Sequence, residues 1–187
     1  MTNIIELETS RLKLRQWRAE DSPLFAAINS DPAVMEFYPR VLESAESNTL
    51  ADYFEELIVK TGWGFWAVEK KADCTFIGFV GLNEPTYDLP VTPCVEIGWR
   101  LAKNEWGNGY ASEAAHAAIK MAFTHIDLTE IYSFSSVTNT KSIAVMQRLG
   151  MQDTECNFEH PIIPEHHPLR EHVLYNINKK QWGEHNL

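Results

Sequence analysis

Two glycines stand directly ahead of an alanine-rich segment in the stretch WGNGYASEAAHAAIKMAF, residues 106–123. The alanines and Met121 recur at the spacing of an amphipathic helix, so the sequence predicts a helix that begins after Gly109. A helix N-terminus exposes backbone N–H groups and partial positive charge, and it binds phosphate where no side chain intervenes. Gly107 and Gly109 therefore indicate either a phosphate-binding loop or a tight strand-to-helix turn.

The remaining hydrophobic pattern predicts one α/β domain that spans residues 1–187. Three runs rich in aromatic and β-branched residues are typical of consecutive strands: GFWAVEK, TFIGFVGL and PCVEIGWRL. A strand in RLKLRQW and two helices, the second over residues 42–60, precede them. A strand in IYSFSSV, a helix in NTKSIAVMQRLG and two strands, DTECNF and EHVLYNI, follow the long helix. Gly150 is expected to end the helix before it.

The charge balance of the chain bears on its partners. Its 187 residues include 16 Lys+Arg and 26 Asp+Glu, for a formal net charge of −10. This balance argues against a nucleic-acid-binding protein, which needs basic surface to displace counterions. It indicates either an acidic, solvated surface or a cationic partner such as an amine. No apolar run of about 18 residues is present, so no membrane span is expected. The three cysteines form no CxxC pair, and a cytoplasmic protein is expected.

The segment Gly107–Ser112 also imitates the GxGxxG fingerprint of dinucleotide-binding proteins. Three features of its context argue against that interpretation. The third glycine position is Ser112, the preceding strand ends several residues too early, and the following strand, IYSFSSV, lacks the expected acidic residue.

Two longer segments carry a family resemblance: VEIGWRLAKNEWGNGYASEA and VTNTKSIAVMQRLGM. They resemble the GNAT N-acetyltransferases, in the RimJ/RimL-like branch of ribosomal-protein N-acetyltransferases, as do the opening ETSRLKLR and the closing HPLREHVLY. The resemblance implies a single-domain GNAT fold, whose mixed, mostly antiparallel sheet splays open between its fourth and fifth strands, with acetyl-CoA in the split. It also implies transfer of the acetyl group to a primary amine, either a protein N-terminus or a small amine, by direct attack in a ternary complex. The alternative is a GNAT-like module that binds acyl-CoA as a sensor without turnover.

The resemblance also implies which residues would bind acetyl-CoA. The pyrophosphate loop corresponds to Asn104–Gly109, with Asn104 in place of the usual Arg or Gln. Backbone N–H groups would hold the phosphates from Trp106, Gly107, Asn108, Gly109, Tyr110, Ala111 and Ser112. The backbone of Trp99, Arg100 and Leu101 would pair with the pantetheine arm and polarise the thioester carbonyl. Asn139 matches the residue that meets the pantetheine, although an Asn there is also a favoured helix cap.

Two residues are candidates for proton transfer. Glu96 precedes Trp99 on the same strand and is the expected general base, with Gly98 leaving room beside it; a Glu paired with Arg100 for structural reasons is the alternative. The resemblance makes Ser142 the candidate donor to the leaving thiolate. The position that often carries a Tyr in this family is Met146, so the alternatives are a water or departure of the thiolate without a donor. The histidines of FEHPIIPEHHPLREH have no standard metal-ligand spacing, so no metal site is expected. A monomer or a homodimer is expected.

Overall fold

A computed structural model describes residues 2–185 and contains five helices and nine strands over that range. The helices are α1 (Asp21–Ser30), α2 (Ser44–Thr61), α3 (Tyr110–Thr124), α4 (Thr140–Arg148) and α5 (Lys179–His185). The strands are β1 (Leu7–Glu8), β2 (Leu12–Arg15), β3 (Phe65–Lys70), β4 (Phe76–Asn83), β5 (Glu96–Leu101), β6 (Glu130–Ser136), β7 (Gln152–Asp153), β8 (Phe158–Glu159) and β9 (Glu171–Asn178). A short 3-10 helix, Lys103–Glu105, follows β5.

The chain divides into two compact units, and β5 and α3 contribute residues to both. The first unit comprises residues 1–82 and 98–118, and the second comprises 83–97 and 119–187. The units are interleaved along the sequence rather than consecutive. The expectation of one domain over residues 1–187 stays a prediction.

The first unit is built on the antiparallel strands β1, β2, β3 and β4, followed by residues 98–101 of β5. Every residue of β4 is buried, as expected for a strand covered on both faces. The core of this unit is a cluster of aromatic rings, in which neighbouring ring centroids lie 4.9 to 6.4 Å apart: Trp17, Phe25, Phe54, Phe65, Phe76 and Phe79. Large aromatic side chains dominate core energetics because each buries a large apolar area.

Local signals explain where α2 begins and ends. Glu43 and Glu46 form a reciprocal capping box, in which each side chain accepts a hydrogen bond from the other residue's backbone N–H. At the other end, Gly62 adopts the left-handed conformation with φ of 88° and donates its N–H to the Ile58 carbonyl. The helix predicted over residues 42–60 is therefore observed two residues later at its start and one later at its end.

The second unit centres on β6 and β9, which pair antiparallel along seven residues of each strand. β7 and β8 both pair with β9, and residues 96–97 of β5 lie on the other side of β6. β5 and β6 run parallel, and their register contains the pair Glu96 and Tyr132 at the first residue of β5. One residue later, the Ile97 carbonyl accepts a hydrogen bond from the Ser133 hydroxyl at 3.0 Å.

The α/β class with a mixed, mostly antiparallel sheet and flanking helices is confirmed. The parallel pair, β5 and β6, joins the fourth and fifth strands that the sequence predicts, where the splay was expected. The single predicted strand in DTECNF is wrong. The structure has two short strands there, β7 and β8, separated by a segment in which Glu155 adopts a positive φ of 59°. Among the described residues, no helix combines the length and apolar character needed to cross a membrane.

Candidate active site

The loop between β5 and α3 contains both glycines in the left-handed conformation. Gly107 has φ of 79° and Gly109 has φ of 78°, values that residues with side chains rarely adopt. A Cβ atom at Gly107 would meet nothing within 4 Å, and one at Gly109 would approach Arg11 Nη2 at 3.6 Å. The protein's own packing would therefore accommodate side chains at both positions. Within the protein itself, the need for glycine at these positions comes from the backbone conformation and not from a lack of space.

Side chains within the loop hold it in this conformation. The indole N–H of Trp106 donates to the Leu101 carbonyl at 2.9 Å, which ties the loop back to the end of β5. Asn108 Nδ2 donates to the Glu105 carbonyl at 3.2 Å, and the buried Glu105 carboxylate pairs with Lys70 at 3.1 Å. The Trp106 side chain thus anchors the loop whose backbone is predicted to bind the cofactor.

A second set of contacts joins the loop to the start of the chain, and the sequence reasoning missed it. Glu113, in the first turn of α3, accepts hydrogen bonds from the Thr9 hydroxyl at 2.6 Å and the Arg11 backbone N–H at 3.0 Å. Arg11 Nε donates to Glu113 Oε2 at 2.6 Å, and Arg11 Nη1 donates to the Asn108 carbonyl at 3.0 Å. Because a peptide unit is planar and trans, the N–H of Gly109 points away from Arg11. The sequence feature that could have indicated this contact is the Thr-Ser-Arg of ETSRLKLR, residues 9–11.

This loop and the first turn of α3 have the chemistry of an anion site. The first N–H groups of an α-helix have no partner within the helix, and Tyr110, Ala111 and Ser112 supply three of them. Gly107, Asn108 and Gly109 are exposed, and the three helix residues are half-buried. Backbone donors with the positive end of a helix dipole suit a phosphate group. The assignment of these residues to coenzyme A stays a prediction.

The end of β5 lies in the first unit, and its neighbours change one expectation. Trp99 and Arg100 are half-buried, while Leu101 is buried. A Cβ atom at Gly98 would lie 3.2 Å from Phe65 Cε1. The space above this glycine is therefore filled by the Phe65 ring, and the expectation that Gly98 leaves room beside Glu96 is wrong.

Glu96, in the second unit, is a half-buried carboxyl with one hydrogen-bond partner from β4. Asn83 Nδ2 donates to Glu96 Oε1 at 2.8 Å. Burial raises the pKa of Glu96 to about 7, and the hydrogen bond from Asn83 acts in the opposite direction. A carboxyl group with a pKa near neutral pH can exchange a proton with a substrate in either direction.

Asn83 carries a second feature that the sequence reasoning missed. Its side chain is 9% exposed, and its Oδ1 is buried without a hydrogen-bond partner among the described residues. A buried acceptor without a partner is costly and calls for an explanation. A donor such as an amine N–H beside the Glu96 carboxylate would satisfy it. Asn83 follows TFIGFVGL in a segment between two predicted strands, and its position in the sequence does not show that it pairs with Glu96.

Asn139 and Ser142 lie at the start of α4, and Asn139 is a helix cap. Asn139 Oδ1 accepts from the Ser142 backbone N–H at 3.2 Å, and its Nδ2 donates to the hydroxyls of Ser135 at 2.9 Å and Ser142 at 3.1 Å. The Ser142 hydroxyl is thereby oriented by its neighbour. Contact of Asn139 with a cofactor and proton donation by Ser142 both stay predictions.

The histidine-rich segment contributes an aromatic cluster rather than an exposed base. His160 and His172 are buried, with ring centroids 4.8 Å apart, and pack against Phe134 and Phe158. Burial and the neighbouring His172 lower the pKa of His160 to about 4, so it is neutral at pH 7. Within the part of the chain that the structure describes, no group of three or more His, Cys, Asp or Glu side chains is placed to hold a metal ion.

Comparison with known proteins decides the family. A family model described as "Acetyltransferase (GNAT) domain" matches residues 11–152, more than half of the chain. The chain belongs to the GNAT acetyltransferase family. This GNAT protein is therefore an acetyl-transferring enzyme that acts on an amine. The alternative of a binding module without turnover is not retained.

Individual relatives agree with this assignment over nearly the whole chain. The FsC-acetyl coenzyme A-N(2)-transacetylase of Aspergillus fumigatus is 27% identical over 183 residues, which cover 94% of this chain and 77% of that protein. A crystal structure of an acetyltransferase from Agrobacterium tumefaciens is 27% identical, with a TM-score of 0.74 over 95% of this chain and 96% of that one. A GNAT acetyltransferase structure from Bacillus anthracis has a TM-score of 0.77 at 23% identity, over 94% and 99%. The GNAT fold is confirmed.

Proposed function

We propose that this GNAT enzyme transfers an acetyl group from acetyl-CoA to a primary amine by direct attack of the amine. The observation that carries this mechanism is the pair of Glu96 and Asn83, a carboxyl group beside a buried amide oxygen that lacks a partner. A neutral amine must form before attack, because amines have reference pKa values of about 7.7–8.0 at an N-terminus and about 10.4 at lysine. Glu96 accepts that proton.

The remaining steps use residues that the family resemblance suggests. Backbone N–H groups of Trp99, Arg100 and Leu101 hold the thioester arm and stabilise negative charge on its carbonyl oxygen. Acetyl-CoA supplies the activated acetyl group when it is bound. The Ser142 hydroxyl, oriented by Asn139, passes to the departing thiolate the proton that the attacking nitrogen loses as the amide forms. No covalent enzyme intermediate is needed, so positioning of the two substrates accounts for much of the rate.

Coenzyme A is held in this proposal by the loop Trp106–Gly109 and the first turn of α3. The left-handed glycines and the exposure of residues 107–109 support it, as does the contact of Arg11 with the Asn108 carbonyl, which leaves the Gly109 N–H pointing away from Arg11. The name of the Aspergillus relative includes acetyl coenzyme A. Membership of the RimJ/RimL-like branch, a protein N-terminus as acceptor, a cytoplasmic location and a monomer or homodimer remain part of the proposal.

Thermal unfolding with added ligands tests the cofactor. CoA or acetyl-CoA is expected to raise the melting temperature, and NAD is not, because the loop does not have the context of a dinucleotide fold. At a ligand concentration about a hundredfold above its Kd, binding adds about 2.7 kcal/mol to the free energy of unfolding. Stabilisation by NAD and not by CoA would rule the proposal out.

Substitution of Asn83 tests its relation to Glu96. Asn83→Ala removes the hydrogen bond that lowers the pKa of the Glu96 carboxyl, so that pKa rises from its value of about 7. Because the reaction needs ionised Glu96, the acidic limb of the profile of kcat/KM against pH is expected to move to higher pH. Measurement of that profile for both proteins is the test. An unmoved limb would mean that Asn83 does not act on Glu96.

A further inference from the structure

The guanidinium of Arg100, in the first unit, is held in place by three neighbours. Its Nη1 donates to Asn29 Oδ1 at 2.7 Å, and the fully buried Asn29 donates in turn to the Ser47 hydroxyl at 2.8 Å. The Arg100 Cζ atom lies 4.2 Å from the centroid of the Tyr38 ring and 5.5 Å from that of Phe79. Asn29 and the two rings thus fix the position of the charge, and cation–π attraction offsets part of its desolvation.

No carboxylate pairs with this charge among residues 2–185. Five other arginines each lie within 4 Å of a carboxylate, and Arg148 is exposed on α4; the five are Arg11, Arg15, Arg18, Arg40 and Arg170. Carboxylates are not scarce, since the chain has 26 acidic residues against 16 basic ones. A half-buried guanidinium without a counter-charge is unfavourable. The missing counter-charge indicates a ligand that would supply it.

Arg100 also has more N–H donors than the surrounding residues have acceptors for them. Arg100 Nε is buried and has no hydrogen-bond partner among the described residues. A guanidinium has five N–H donors in a planar fork that matches the two oxygens of a carboxylate or phosphate group. Arg100 is itself only half-buried, and the Tyr38 ring against which it lies is exposed. An anionic group at this edge would supply both an acceptor for Nε and the absent counter-charge.

We propose that Arg100 binds an anionic group of the acceptor, which is then a primary amine that also carries a carboxylate or phosphate. This inference rests on the proposed function, since it names the class of amine. Residues 96 and 100 lie on one strand, so alternation gives Glu96 and Arg100 the same side of β5. This shared strand is the reason that the proposal assigns the anionic group to the acceptor amine and not to a separate ligand.

Kinetics with paired acceptors tests this specificity. Each pair is an amine with an anionic group and the same amine without it, such as an amino acid with its amide or phosphoethanolamine with ethanolamine. A charged hydrogen bond predicts that kcat/KM favours the anionic member by about tenfold or more. In Arg100→Gln the ratio within each pair is expected to fall toward one, and in Arg100→Lys to be intermediate. The control Arg40→Gln, which alters an exposed arginine paired with Glu46, should retain the wild-type ratio.

The comparison of variants removes the intrinsic reactivity of each amine, which is the same for every protein. The two kinds of pair distinguish carboxylate from phosphate. An equal ratio in wild type and in a folded Arg100→Gln, judged by circular dichroism, overturns the inference. If Arg100→Gln does not fold, the ratio in Arg100→Lys takes its place.

A binding measurement separates this inference from the proposed function. The Nε–H resonance of Arg100, identified by its absence in Arg100→Lys, is followed while acetate or inorganic phosphate is added, with chloride at equal ionic strength as the control. A saturable shift with either anion supports the site even if no amine is acetylated, in which case only the proposed function fails. An unmoved resonance overturns the anion site even if acetylation is observed.

Discussion

Glu96→Gln is expected to lower kcat/KM by about 10²-fold or more while the Kd of CoA stays near the wild-type value. A glutamine has nearly the shape of the glutamate but cannot accept the proton of an acceptor amine, and general-base catalysis contributes about 10²–10⁴-fold. Because a lost transition-state interaction lowers kcat without weakening cofactor binding, steady-state kinetics and calorimetric titration together test the role.

The pH dependence gives the same prediction a second readout. Burial raises the pKa of Glu96 to about 7, so wild-type kcat/KM is expected to decline as the pH falls through that value and Glu96 becomes protonated. In Glu96→Gln this limb disappears. Glu130→Gln is the matched control, since Glu130 is also a half-buried carboxyl that accepts hydrogen bonds, from Tyr132 and Asn176. Full activity of Glu96→Gln between pH 6 and 9 would show that the base lies elsewhere.

Gly109→Val is expected to abolish measurable CoA binding while far-UV circular dichroism stays close to that of the wild type. Gly109 has φ of 78°, and a β-branched residue disfavours that conformation strongly. The nearest atom to an added Cβ is Arg11 Nη2 at 3.6 Å, so packing tolerates the side chain. The backbone donors of the loop would turn away from the phosphates, and the side chain would occupy their space. Calorimetric titration of CoA is the measurement.

Gly150→Val is the control for backbone strain alone. Gly150 ends α4 with φ of 76°, so the substitution imposes a similar strain at the C-terminal end of a helix outside the loop. It should lower the melting temperature and leave the Kd of CoA unchanged. Wild-type affinity in Gly109→Val would mean that the two glycines serve the turn and not a ligand.

Features fixed by local sequence could be predicted. Gly150 follows α4 at the position where a left-handed glycine closes a helix. The aromatic and β-branched runs became β3, β4 and β5, because such residues pack well on a pleated surface that is buried. The helix α5 was not predicted, although its start has a local signal. Asn178 and Gln181 exchange side-chain-to-backbone hydrogen bonds there.

Features that depend on contacts distant in sequence could not be predicted. The partner of Glu96 is Asn83, across the end of two neighbouring strands, and only the strand register brings them together. The Phe65 ring covers Gly98 for the same reason. Glu155 adopts a left-handed conformation, which a glutamate in a sequence does not indicate. This residue divides the segment that was predicted as one strand.

The contact of Arg11 with the loop has a consequence for how the loop opens. Residues 9–11 hold Glu113 and the Asn108 carbonyl across about a hundred positions of sequence. They lie between β1, an edge strand of two residues, and β2. Local opening costs little free energy in fraying segments and approaches the global value in core helices and strands. The Arg11 amide hydrogen, which is hydrogen-bonded to Glu113, should therefore exchange with solvent as this sheet edge frays, and more readily than the amide hydrogens in the middle of α3.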